Sequence, residues 1–381
     1  MDWEGAISLT LAGFLGTMSV LIGFVCLLLA VFLFVAPSER KLPNRFLGLF
    51  LLLTAIDVSG WLFVGTDTSV LWLDAVRQSL GALQMPLFLW FVVSSCYADF
   101  KLKRWDILHG VPFVFALFVS LPGQQIPFGP DMAAGPTVFI TAYEAQVRFI
   151  TSQIQYYAYI FVCCQILLRF RSLFKEYHSG APSAVFRWVS QLVIVSIFAH
   201  TLVVVRYVVS VSNYGTLFAI LQIIGALTVL GVVTWITLKM LLAPQLFRQV
   251  DRALLRVSKF ASADGQADTD SASDIQRVIG HMRDTKPYLD PALNLPGLAD
   301  QLALVPRELS ELINAEAGLH FFDFVNEFRI SEAKEKLISD PKLSVLDIML
   351  DVGFNSKSSF NTAFKKQTGL TPSAFRKTSS H

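Results

Sequence analysis

Seven stretches of this chain are so apolar that water is the wrong solvent for most of their surface. They cover residues 10–35, 46–64, 80–97, 108–121, 150–168, 188–211 and 217–242. A bilayer core ~30 Å thick is crossed by a helix of about 20 apolar residues. Helices also satisfy every backbone donor and acceptor within the segment, which lipid demands. The fourth stretch is short and contains Pro112, so it is the weakest of the seven. An apolar fraction of 54%, a mean hydropathy of +0.54 and 32 phenylalanines exclude an ordinary water-soluble globule. The first stretch does not read as a cleaved leader: Asp2 and Glu4 stand where lysines would be expected, and the apolar run is too long.

The placement of Lys and Arg orients the seven spans. Arg40, Lys41 and Arg45 lie between spans one and two; Lys101, Lys103 and Arg104 lie between three and four. Arg169, Arg171, Lys175 and Arg187 lie between five and six, whereas the other side carries only Arg77 and Arg148 in its loops. The N-terminus is therefore expected outside and the C-terminus in the cytoplasm of a multi-pass inner-membrane protein.

Polar groups within the spans cost free energy and so mark candidate function. Asp57, His200, Arg206 and Gln222 are such groups, and span five opens with Gln153, Gln155, Tyr156, Tyr157 and Tyr159. The ordinary reading is hydrogen bonding between helices, with Arg206 snorkelling outward. The sharper one is a small-molecule pocket lined by Asp57, Tyr156, His200 and Arg206 under the outer loop 122–148. Cys26, Cys96, Cys163 and Cys164 all sit in apolar runs, which suits small apolar fillers better than disulfides or zinc.

Beyond residue 242 the composition changes. Residues 243–260 form a juxtamembrane amphipathic stretch in which Phe247, Val250, Leu254 and Val257 follow 3-4-3 spacing. That pattern suits either a short dimer seam or a helix lying on the inner leaflet. Residues 261–274, ASADGQADTDSASD, are an acidic, low-complexity linker. Residues 275–381 then read as a compact helical domain. Its first helix pair would use Asn294 as cap, a turn at Leu304-Val305, and Pro306 to open a helix reaching Ala317. A long helix over 321–338 links it to a second pair capped by Ser344 and Asp347.

In the second pair Gly353 permits a tight turn, Asn355 or Ser356 caps the next helix, and Phe360 and Phe364 share its buried face. Gly369 stops that helix, and Thr371-Pro372 starts another. After Asp351 there is no acidic residue, whereas Lys357, Lys365, Lys366, Arg376 and Lys377 are present. A rigid helix offering hydroxyls, an amide and lysines suits a DNA groove.

This pattern resembles the second helix-turn-helix of the AraC family of bacterial transcription regulators. The residues that carry the likeness are Gly353-Phe354, Ser358-Ser359-Phe360, Phe364-Lys365-Lys366, Gly369, Thr371-Pro372 and Phe375-Arg376. It extends back to about Lys286 and includes Arg329, Ala333 and Leu337. Met349 departs from it, since the family usually has a small residue there. The resemblance implies promoter binding by two reading helices that enter successive major grooves. The residues expected at DNA are Arg307, Ser310 and Asn314 in the first unit. In the second they are Ser356, Lys357, Ser358, Asn361, Thr362, Lys365, Lys366 and Arg376. Glu308, Glu311 and Glu316 make the first reading helix a poor phosphate binder, so affinity should depend on the basic final stretch and on homodimerisation.

The fold class expected is all-α: a seven-helix transmembrane bundle over 1–242, followed by a cytoplasmic double helix-turn-helix domain. The function expected is a membrane-embedded transcription regulator whose partners are double-stranded DNA, the lipid bilayer, a second copy of itself and a small-molecule ligand. The alternative is a membrane transporter or enzyme with a cytoplasmic partner-binding domain. No metal-ligand, nucleophile-elbow or phosphate-loop motif occurs in the sequence, so no catalytic residue, metal or cofactor is expected.

Overall fold

The computed structural model describes residues 3–38, 41–63, 71–97, 100–120, 142–179, 184–211, 214–248, 271–340 and 342–379. Among these, regular structure is helical, save one isolated antiparallel bridge between His178 and Asn294. The chain divides into two compact units: residues 1–167 with 184–251, and residues 168–183 with 252–381.

The first unit is built from α1 (Trp3–Val35), α2 (Lys41–Val58), α3 (Leu71–Leu80), α4 (Gln84–Cys96) and α5 (Val111–Ser120). The greater part of α6 (Ala142–Tyr177), then α7 (Ala184–Ser210), α8 (Gly215–Leu242) and the short α9 (Gln245–Arg248), complete it. Helices α1 and α2 approach closely because Gly48 has no side chain where the Phe34 ring lies; a Cβ there would stand 3.0 Å from it. The Ser19 hydroxyl donates to the Val58 carbonyl at 2.8 Å, closing the far end of the same pair. Val20, Phe24, Leu28 and Val31 on α1 stay exposed, as do Ile194 and Phe198 on α7. Such a surface is costly in water and costs nothing against lipid tails.

Among the described residues, six helical segments are long and apolar enough to cross a membrane: Thr10–Val35, Lys41–Leu62, Trp72–Cys96, Gln146–Tyr177, Ala184–Ser210 and Gly215–Leu242. Of the seven predicted stretches, the fourth falls short of that length. Residues Arg104–Gly110 form a 3₁₀ helix that leads into the ten-residue α5, whose second residue is Pro112. A proline is tolerated in a first helical turn, where its missing N–H has no partner to lose.

The third segment starts eight residues earlier than expected. Its charges are neutralised within the unit: Arg77 donates to Asp74 Oδ1 at 2.7 Å and to the Asp57 carbonyl at 2.8 Å. Arg77 and Arg148 therefore sit within α3 and α6, and not in loops as the charge count had assumed. The Arg148 guanidinium donates to Gln78 and, at 3.4 Å, to the Ser120 hydroxyl. Cys26, Cys96 and Cys163 are buried and none is in a disulfide, in keeping with the filler role.

Phe247, the first residue of the predicted juxtamembrane seam, is buried. Its carbonyl accepts from the Asn44 amide at 2.8 Å, and its ring meets Trp188 edge-on at 5.8 Å. It is used inside the first unit and is not free for a seam. The other seam residues and the acidic linker up to residue 270 lie outside the described residues, as does most of the outer loop.

The second unit holds α10 (Ser271–Thr285), α11 (Leu295–Leu302), α12 (Pro306–Leu312), α13 (Phe321–Ser339), α14 (Val345–Asp351), α15 (Lys357–Thr368) and α16 (Pro372–Ser379). Two apolar cores organise it. Val278, Met282, Leu295, Leu298, Leu309, Ile313 and Phe324 build the first, and Ile330, Ala333, Leu337, Ile348, Phe360 and Phe364 the second. Helix α13 contributes to both, its first half to one and its second half to the other.

Candidate nucleic-acid interface

Each reading helix is set by local chemistry. The Asn294 side chain accepts the Gly297 N–H at 3.0 Å and caps α11, which ends at Ala303 in the left-handed region, φ 55°. Val305 is extended, as a residue before proline must be, and Pro306 opens α12. The expected continuation to Ala317 is present, but residues Ile313–Ala317 widen into a π-helical turn that stops at Gly318, φ 64°. The second pair begins with the reciprocal Ser344–Asp347 capping box. Gly369, φ 73°, terminates α15.

Three aromatic contacts brace α15 from behind. Phe354, Phe360, Phe364 and Phe375 follow one another edge-on, with ring centroids 5.2, 5.7 and 5.4 Å apart. Phe360 and Phe364 are essentially inaccessible, each worth about 1.5–3 kcal/mol of burial. This fixes which side of α15 is left outward. Lys357, Ser358, Thr362, Lys365 and Lys366 are exposed there and Asn361 is half-buried.

The remaining predicted contacts are less free. Ser356 is spent as the cap of α15, its hydroxyl accepting the Ser359 N–H at 3.5 Å. Lys366 Nζ lies 3.1 Å from Asp323 on α13, whereas Lys365 is exposed and, among the described residues, pairs with no carboxylate. Arg376 is half-buried on α16. In the first pair Arg307 is exposed but bonded to Glu311 at 2.8 Å; Ser310 is half-buried, and Asn314 is exposed on the π turn. The two readers thus differ electrostatically: α12 carries its own carboxylates, while α15 offers cations alone.

Sequence reasoning placed Arg329 in a family pattern but missed its task. It is 1% exposed and has no carboxylate within its hydrogen bonds. Its guanidinium donates to the carbonyls of Tyr288 at 2.7 Å, Asp290 at 2.8 Å and Ser179 at 2.9 Å, and to the Ser179 hydroxyl at 3.2 Å. It also stands 5.5 Å from the Phe354 ring centroid. Burial pushes its pKa down to about 10, with Asp290 pulling the other way, so it remains a cation at neutral pH. One helical turn away, Glu332 accepts from Lys286 at 2.8 Å and from the Tyr288 hydroxyl at 3.1 Å. These hydrogen bonds, the Lys286 bond foremost, hold its carboxyl below the usual carboxylate range. Together they pin the turn Pro287–Leu289 to α13.

Residues 298–378 match a family of helix-turn-helix domains. Over 101 residues the chain is 32% identical to the arabinose operon regulatory protein of Escherichia coli, 26% of this chain and 32% of that one. Over 118 residues it is 31% identical to the transcriptional regulatory protein YesN of Bacillus subtilis, 30% of this chain and 32% of that one. The C-terminal region is an AraC-family helix-turn-helix domain. The chain spans about a third of the length of these curated relatives. The C-terminal domain of AraT, a response regulator from Geobacillus stearothermophilus, is a similar solved structure: 29% identity, TM-score 0.26, covering 29% of this chain and 88% of that one. The likeness is to regulatory proteins.

Upstream of the AraC-type domain, the predicted ligand-pocket residues are only partly brought together. The Tyr156 ring stacks on His200 with centroids 3.4 Å apart, and its hydroxyl bonds Ser196 at 3.1 Å. His200 Nε2 meets Gln153 Oε1 at 2.7 Å. Asp57, however, turns to Arg77 at 3.8 Å, and Arg206 is half-buried.

Proposed function

We propose that this chain is a membrane-embedded transcription regulator that couples a signal received outside or within the membrane to promoter binding. The observation that carries the reading is the presence, in one chain, of six membrane-length apolar helices and an AraC-type reader whose outward helix is purely basic. A DNA reader has to be cytoplasmic, so with an outer N-terminus the number of crossings has to be odd. The short fourth apolar stretch, 108–121, is then the seventh crossing.

On this reading Lys357 and Lys365 hold phosphates, while Ser358, Asn361 and Thr362 face base edges. Lys366, Arg376, Arg307, Ser310 and Asn314 contribute once duplex phosphates compete with their internal partners. Tyr156, His200 and Gln153 form the polar part of a ligand site, with Asp57 and Arg206 beside it. The protein acts as a homodimer, since one acidic and one basic reader give a single protomer little hold on DNA.

The test uses full chain in lipid nanodiscs and duplexes selected by that chain from a random-sequence pool. Binding should be sequence-dependent and should weaken steeply with salt. Labelling of introduced cysteines in intact cells should reach residue 130 and miss residue 265. Binding that ignores both sequence and salt, or outward exposure of residue 265, would end the proposal.

A further inference from the structure

The stretch that joins the predicted fifth and sixth spans belongs, in its packing, to the DNA reader. Residues 168–183 fall in the same compact unit as residues 252–381. The contacts are specific and successive. Lys175 stands 6.0 Å from the Phe322 ring, and Glu176 lies 3.9 Å from His320. Tyr177 packs against the core of the first helix-turn-helix. His178 bridges Asn294, and the Ser179 hydroxyl donates to the Leu293 carbonyl at 2.6 Å. Ser179 then returns both its carbonyl and its hydroxyl to the buried Arg329.

Three features make this more than a chance contact. Ser179 is 1% exposed, so its hydroxyl and carbonyl sit in a built site and not on a surface. Two of the three guanidinium nitrogens of Arg329 are satisfied by it, one of them shared with Asp290. The residues it meets, Leu293 and Asn294, immediately precede and cap α11, the start of the first reader.

Lys175, Glu176 and Tyr177 are the last turn of α6, an unbroken helix of 36 residues that also carries Gln153 and Tyr156. About 24 residues at ~1.5 Å separate Gln153 from Tyr177, so α6 is a rod of roughly 36 Å.

We propose that Lys175–Ser179 is an autoinhibitory latch: docked on Leu293, Asn294 and Arg329, it holds the first reader in an arrangement that does not engage DNA, and movement of α6 withdraws it. The proposal rests on the regulator reading above. It places the signal path in α6, whereas the predicted juxtamembrane seam would place it after residue 242.

The experiment uses the full chain in nanodiscs with the selected duplexes. Tyr177→Ala combined with Ser179→Ala should tighten DNA binding about ten-fold and speed hydrogen exchange at the Leu293 and Asn294 amides. Ser179→Cys combined with Leu293→Cys, oxidised to a cross-link, should weaken binding about ten-fold, with full recovery on reduction. Unchanged or weaker binding by the double alanine variant, with its melting transition intact, would overturn the latch. If that variant fails to fold, the reducible cross-link decides alone: no effect on affinity overturns the latch. Wild-type chain that binds no duplex overturns the latch and the regulator reading together, whereas wild-type binding with inert variants removes the latch only.

Discussion

Gly353 lies so close to the Tyr288 carbonyl that a Cβ on it would stand 2.5 Å from that oxygen, and 2.8 Å from the carbonyl oxygen of Leu289. Its φ of 87° is also one that side chains resist. The turn of the second helix-turn-helix is thereby pressed onto the turn that Arg329 and Glu332 hold from the other side. Gly353→Ala should cost about 2–4 kcal/mol, from the left-handed backbone and from forcing two carbonyls to move. Gly369, also at positive φ but in open space, should cost only about 1 kcal/mol as alanine. Thermal melting of the full chain compares the two, and equal losses would refute the close-approach account.

Arg329 should tolerate neither lysine nor methionine. A point-charge ammonium cannot reach three divergent carbonyls, and a thioether leaves them unsatisfied. Each substitution should lower stability by about 2–4 kcal/mol. Retained melting temperature in Arg329→Lys would show that charge alone suffices.

Lys365 and Lys366 are neighbours with different expected weights. Lys365→Ala should lower the slope of log affinity against log salt by about 1, as loss of one phosphate contact does. Lys366→Ala should lower it less, because Asp323 already neutralises part of its charge. Titrations at several salt concentrations check this, and the Lys365→Glu/Lys366→Glu double variant should lose DNA binding altogether.

The Glu332 contact predicts an acid limb. Its folded pKa is depressed, so the stabilisation is present above the unfolded carboxylate range and is lost as pH falls through the folded value. Melting temperature should therefore drop below about pH 4.5. In Glu332→Gln the drop should be shallower, with a loss of about 1–2 kcal/mol at neutral pH. An unchanged acid limb in that variant would assign the effect elsewhere.

Asn326 is 3% exposed on α13, and its amide meets no hydrogen-bond partner among the described residues. Asn326→Leu, which keeps the branch at Cγ and removes both polar groups, should raise stability by about 1 kcal/mol. A loss in unfolding measurements would mean that the amide has a partner in solution.

What the sequence determined by itself was everything written within one or two helical turns. The apolar runs, the caps at Asn294, Ser344 and Ser356, the left-handed glycines and the Phe360–Phe364 face all depend on neighbours a few residues away. Six helices of membrane-crossing length and both helix-turn-helix pairs follow from them. Tertiary structure alone decided the pairings across long separations. Arg77 donates to the Asp57 carbonyl, Phe247 packs within the first unit, and Arg329 reaches Ser179, 150 residues away. No local pattern encodes such partners, because a buried cation can be satisfied by any carbonyl that packing brings near, and backbone carbonyls are alike in sequence.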